Sequence, residues 1–361
     1  MDPGTHQNGY GGAMMTQEEF IGLSETERRG LFDIVSDQCG LTSQVVEKDF
    51  WVTYVLGKMF GDHEIAEAFR FKGGTSLSKG YGLIDRFSED VDLVVEWDKV
   101  PEKFGCHQLV SEVRSARNAR KLQSRLNELV PNYTQDHFLP KIQGLLPDCL
   151  VCHLPEKKPS GDEGVICIDY PQIYGRDDAG YISPNIRLEM GVLAASCPNE
   201  PKSVESLLTS TTHRVDSPDA PIPTVTKAQT FWEKISILHR EHYRDEVHPY
   251  LEGATNRTSR HYYDVFKILG KVDHGDLLRE FDLLSRSIWY SRMFHRCPWA
   301  KLEEAESGDV HLMPSDYARK ILQEDYKNMQ VMIWEKKPVA FDEILDAIVK
   351  FEREIEESVK K

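Results

Sequence analysis

No run of eighteen apolar residues occurs in this 361-residue chain, so no helix crossing a bilayer is expected. No basic-then-apolar leader opens it either, and the expected setting is the cytoplasm. Cationic excess is missing: 44 Lys and Arg stand against 59 Asp and Glu, for a net charge of −15. That balance argues against broad, non-specific nucleic-acid binding, which needs surplus Lys and Arg, but it leaves room for a local basic patch. Cysteines are few, scattered and odd in number (seven), so reduced thiols are expected rather than a disulfide framework. Cys149 to His153 has the spacing of a c-type haem attachment. With no export signal, and no second ligand pair nearby to make a zinc site, these residues read as structural. No internal repeat is present. What remains is a globular composition, 40% apolar and 29% charged, long enough for one large or two medium domains. Residues 1–14 are polar and glycine-rich; they read as a disordered extension or an expression remnant before Met15.

The chain is organised around Phe69 to Val95, FRFKGGTSLSKGYGLIDRFSEDVDLVV. Phe69 to Lys72 reads as a short strand, Gly73-Gly74 as a break, and Thr75 onward as the first turns of a helix. A strand, a glycine turn and a helix start can cradle a phosphate. Glycine allows close approach to the backbone, and the unpaired N–H groups of the first helical turn point at an anion. Thr75 and Ser76 can add hydroxyl donors; Lys72 and Lys79 can add charge. Farther on, Val91 to Val95 has strand character, so Asp90 and Asp92 point to one face. Paired carboxylates beside a phosphate cradle are what Mg²⁺ and a nucleoside triphosphate require, since Mg²⁺ takes one or two carboxylates with phosphate and water filling its shell. The bland alternative is a solvated strand end beside an ordinary turn.

Gly73-Gly74-Thr75-Ser76 followed by Asp90-Val91-Asp92 resembles the signature of the nucleotidyltransferase β superfamily. The longer wording is similar to the AbiEii/AbiGii toxin family, nucleotidyltransferases of bacterial toxin–antitoxin and phage-defence modules. The resemblance extends over nearly the whole chain after Met15. It implies an α+β protein. Residues 15–225 would form a nucleotidyltransferase-like mixed β-sheet with flanking helices, and residues 226–361 a C-terminal helical domain closing the cleft. The implied activity is transfer of a nucleoside monophosphate from an NTP, with Mg²⁺ or Mn²⁺ as cofactor and release of pyrophosphate. The implied acceptor is RNA, the 3′ end of tRNA foremost, and the implied partner an antitoxin protein. Protein nucleotidylation and a non-catalytic NTP-binding module are the competing readings.

Thr16 to Arg29 is a helix with Thr16 as N-cap and Glu19 three residues on. Ser43 to Phe60 is a core helix, with Glu47-Lys48-Asp49 as a solvated first turn. Ser111 to Leu129 is a helix on which Arg114, Arg117, Lys121 and Arg125 fall along one side. That stripe is either a phosphate-backbone track for RNA or a solvated face paired with Glu112 and Glu128. A hairpin joins strands at Cys149–His153 and Val165–Tyr170. Asn185 to Val192 is a strand on which Glu189 lacks an evident partner. By the resemblance a third acidic residue completes the metal set; Glu189 fits best, with Asp169 second. Pro198 to Thr226 reads as a crossing segment and domain boundary. Two later helices carry TFWEK and RHYYD. The resemblance assigns Lys234 to the triphosphate and Asp264 to the nucleotide or acceptor site. A buried Lys–Asp pair between packed helices, with Arg260 and His261 on the surface, is the structural alternative.

Overall fold

The computed structural model describes residues 14–101, 103–104, 115–156, 164–175, 182–191, 197–244, 247–248, 250, 257–294, 297–335 and 337–360. Its centre is a seven-stranded mixed sheet: β1 (Phe69–Lys72), β2 (Asp90–Val95), β3 (Val151–His153), β4 (Val165–Asp169), β5 (Ile186–Gly191), β6 (Asn199–Lys202) and β7 (Ile222–Val225). Their spatial order is β3-β4-β5-β2-β1-β7-β6. β2 lies between β1, its antiparallel neighbour, and β5, its parallel one. Alternation decides what each face carries. Val91, Leu93, Leu188 and Phe71 are buried on one side, while Asp90, Asp92, Arg187, Glu189 and Lys72 are half-buried on the other.

The apolar face packs into one continuous core that takes in both the sheet and the helices after Lys227. The Ser43–Phe60 helix buries fourteen of its eighteen residues there, Glu47, Lys48 and Asp49 among them. A solvated first turn is therefore wrong for that helix. Each of the three has a polar partner. Glu47 accepts from the Ile173 and Tyr174 amides at 2.8 and 3.4 Å. Lys48 reaches Glu89 at 2.8 Å, and Asp49 meets Lys79 at 2.6 Å.

The N-terminal helix is two helices, Gln17–Ile21 and Glu25–Cys39, because Ser24 and Glu27 form a second capping box after the one at Thr16 and Glu19. Residues 198–226 are not a crossing segment. They supply β6, a short helix (Leu207–Thr212) and β7, which lies against β1. Pro201 and Pro223 face each other across these two strands. Proline on the edge strand β6 and on its partner is what made this stretch read as loop. The hairpin of β3 and β4 forms as expected.

From Lys227 on, the elements among the described residues are helices. The Lys227–Arg244 helix packs on Ser259–Lys271 and Asp282–Phe294, and Phe341–Val359 closes over Ser259–Lys271. This helical region grips the segment before β2. The Phe87 amide donates to the Met332 carbonyl at 2.7 Å, and Lys267 and Lys271 bind Asp85.

Candidate active site

Strand register assembles the acidic residues. Asp92 stands opposite Lys72 on β1 and opposite Glu189 on β5, and Asp90 opposite Arg187. Cross-strand neighbours share a face, so Lys72, Asp92 and Glu189 form one row with Asp90 a pleat away. Asp169, the second candidate for the third carboxylate, is exposed at the end of β4, opposite Val151 and 3.3 Å from His153. It takes no part in this row.

The glycine pair makes room for side chains. Gly73 begins the Gly73–Lys79 helix at φ +77°, and a Cβ there would lie 1.8 Å from Asp92 Oδ2. A Cβ on Gly74 would meet Arg86 Nη2 at 2.7 Å and Ser88 Oγ at 2.8 Å. The hydroxyls turn inward: Thr75 donates to the Ser88 carbonyl at 3.2 Å and to the Asp90 carbonyl, and Ser76 to the Gly73 carbonyl at 2.9 Å. Thr75 pins the helix start to the entry of β2, and Ser76 closes the helix's own first turn. Lys79 is drawn away to Asp49 and the Glu205 carbonyl. Lys72 stays in the row, 3.4 Å from Glu233.

The carboxylates of the row repel one another. Burial, then the charges of Glu189 and Glu89, push the Asp90 carboxyl up to about 6. Burial raises Asp92, with Asp90 adding to it and Lys72 opposing. Burial and Asp92 raise Glu189 against a 3.1 Å bond from Arg187. Their ligand atoms do not all fall within 4.8 Å of one another. Among the described residues only Glu304, Asp309 and His311, in the helical region, are that close.

Beside the row lies a buried ion cluster. Asp264, with no exposure, accepts from Arg86 Nε and Nη2 at 2.7 and 2.8 Å and from Lys234 at 2.8 Å. Burial opposes its charge, but Arg86 and Lys234 overcome this and hold its carboxyl well below the usual range. The Lys–Asp pair between packed helices is therefore present, with Arg86 as a third member. Arg260 and His261 are not surface groups. Both are half-buried, and Arg260 favours the charged forms of Asp90, Asp92 and Glu189. A second cluster centres on buried Glu89, which binds Lys48 at 2.8 Å, Arg257 at 2.5 Å and the Ser183 amide at 2.7 Å.

Arg86, Arg257 and Arg260 are the functional candidates that sequence reading missed. Arg260 was findable: it precedes Asp264 by one helical turn and so shares its face. The cationic stripe stands apart on the Ala116–Tyr133 helix. Arg117, Arg120, Lys121 and Arg125 are exposed and without ion-pair partners among the described residues; Arg114 and Glu112 lie outside those residues.

A sheet row of carboxylates behind a glycine turn, walled by a helical region, is the frame of a nucleotidyltransferase. Residues 55–347 match the sequence profile described as "Nucleotidyl transferase AbiEii toxin, Type IV TA system", and the chain belongs to that family of transferases. Among solved structures it is similar to MenT4, the nucleotidyltransferase toxin Rv2826c from Mycobacterium tuberculosis H37Rv. That match has 13% identity over 91% of this chain and 98% of that one, with a TM-score of 0.43. No curated protein sequence matches. Among the described residues no helix is long and apolar enough to cross a membrane.

Proposed function

We propose that this toxin transfers a nucleoside monophosphate from an NTP to an acceptor hydroxyl, the 3′ end of tRNA foremost, and releases pyrophosphate. The observation that carries the reading is the register row, which sets Asp92 beside Glu189 and behind Gly73 with Asp90 on the same face. An all-oxygen set of carboxylates, raised by burial and mutual repulsion, suits a hard divalent cation, Mg²⁺ or Mn²⁺. Asp90, Asp92 and Glu189 would hold it. When bound, such an ion supplies charge neutralisation at the attacking and leaving oxygens. The chain's own residues do the rest. Gly73 and Gly74 keep the helix start open to phosphate, Lys72 lends charge at the row, and Lys234, fixed by Asp264, adds a positive charge that Asp92 feels. The helical residues 226–361 serve as the wall of the cleft over the 15–225 unit. Exposed Arg117, Lys121 and Arg125 suit an RNA backbone. The cytoplasm, which holds both NTPs and tRNA, is the setting, and the type IV system supplies an antitoxin partner.

The test is transfer of label from each α-³²P NTP, with Mg²⁺, in the presence and absence of total tRNA, with Asp92→Asn as control. Label on tRNA that depends on Asp92 is the expected result. Label on protein alone would reassign the acceptor, and no transfer to either would overturn the reading.

A further inference from the structure

We propose that Glu89 is a positioning residue, which locks the register in which β5 sets Glu189 opposite Asp92. The proposal rests on the reading of Asp90, Asp92 and Glu189 as the metal-holding row. Alternation alone does not fix that pairing. A slip of one residue between β2 and β5 is excluded, because it would turn Ile186, Leu188 and Met190 out of the core. A slip of two residues keeps them in it. Val91 would then meet Ile186 and Leu93 would meet Leu188, an apolar face as good as the present one, but Arg187 would stand opposite Asp92. A slip of two the other way would bring Gly191 there. In either case Glu189 would leave Asp92.

A choice between these registers has to come from outside the apolar pattern, and the clamp on Ser183 supplies it. Ser183 lies three residues before β5, and Glu89 directly before β2. Glu89 Oε2 accepts from the Ser183 amide at 2.7 Å and from Lys48 Nζ at 2.8 Å, and Lys48 donates in turn to the Ser183 carbonyl at 2.9 Å. Both backbone groups of one residue are thus held, the amide from the entry of β2 and the carbonyl from the Ser43–Phe60 helix. Arg257 holds the second carboxylate oxygen of Glu89 at 2.5 Å. A two-residue slip moves a strand by about 6.5 Å, which would break every bond to Ser183. Glu89 is 3% exposed and Lys48 0%, so the groups left without those bonds would be buried ones.

The competing role is charge alone, since Glu89 also acts on Asp90 through space. Two variants separate the roles because neither changes the net charge. Glu89→Asp keeps the carboxylate but leaves it one methylene short of Ser183 and Lys48. Ser183→Pro removes the N–H that Glu89 accepts, at a residue that Pro184 already biases to extended backbone. Mn²⁺ binding is followed by electron paramagnetic resonance in the full chain carrying Glu304→Gln, which silences the Glu304–Asp309–His311 group, with circular dichroism as the check on folding. The proposal expects the Mn²⁺ Kd to rise about tenfold in both variants, the scale of one lost bond to a charged group. A loss of stability alone would leave the affinity of the folded chain where it was. A Kd within about twofold of the parent in either folded variant overturns the proposal. The register is also read without any cation, by amide hydrogen exchange. β5 should exchange at least about tenfold faster in both variants, with β6 and β7 unchanged; lower global stability would raise all three together. Protection of β5 equal to the parent overturns the proposal. If the parent binds no Mn²⁺, the metal reading fails and exchange alone decides the register. Where one variant does not fold, the other decides.

Discussion

Glu89 and Asp90 adjoin in the chain and sit in opposite electrostatic settings. Glu89 is buried, yet Lys48, Arg257 and the Ser183 amide surround it and hold its carboxyl below the usual range. Asp90, half-buried, has Glu189 and Glu89 for company and is pushed up to about 6. The same contrast separates Asp264, clasped by Arg86 and Lys234, from Asp92, raised beside Asp90. Burial opposes ionisation at all four positions; what differs is who supplies the compensating charge. Where the protein supplies it, the fold itself holds the carboxylate ionised. Where it does not, charge from outside is invited.

Removing a compensated carboxylate should therefore damage the fold, and removing an uncompensated one should not. The largest stability effect is expected for Asp264→Ala, which strands Arg86 and Lys234 in the interior. Urea denaturation should show a loss of roughly 3–5 kcal/mol. A loss below about 1 kcal/mol, the scale of a surface pair, would break the comparison. Asp92→Asn is the mirror case. It removes a like charge, so stability should hold or rise, while transfer activity falls by about a hundredfold or more. Gly73→Ala sharpens the point by pressing a methyl group onto the Asp92 carboxylate at a positive φ. Thermal unfolding should register a cost of about 1–3 kcal/mol, and activity should fall with it.

The last effect concerns pH. Burial raises Glu47 from 4.5 to about 7, with the Ile173 and Tyr174 amides opposing. The folded chain then holds this proton more tightly than the unfolded chain does. Its contribution to stability is therefore full below about 4.5 and declines as pH rises through about 7. The decline should be roughly 3 kcal/mol, and Glu47→Gln should flatten that part of the stability–pH curve. An identical curve for Glu47→Gln would show that the amide bonds already offset the burial.

Much of the acidic row was legible in the sequence because period-two alternation alone puts Asp90 and Asp92 on one face. Glu189 was legible as a carboxylate in an apolar strand. That it stands across from Asp92, and Asp169 does not, depends on strand order and register, which no local pattern encodes. The compensated charges were the hidden part. Lys48 and Glu89 are 41 residues apart, and Arg86 and Asp264 are 178 apart. A charged first turn looks solvated until its partners are known, which is why Glu47-Lys48-Asp49 misled. Proline hid β6, since an edge strand tolerates residues that a strand pattern rejects, and it hid the neighbouring β7 as well.

The uncompensated row, and not the compensated clusters, should take up a divalent cation. Mn²⁺ binding followed by electron paramagnetic resonance tests it most directly. All variants should carry Glu304→Gln, so that the Glu304–Asp309–His311 group does not contribute. The account predicts saturable binding in that parent and loss of binding in Asp92→Asn, with circular dichroism unchanged. Binding in Asp92→Asn equal to the parent would contradict it.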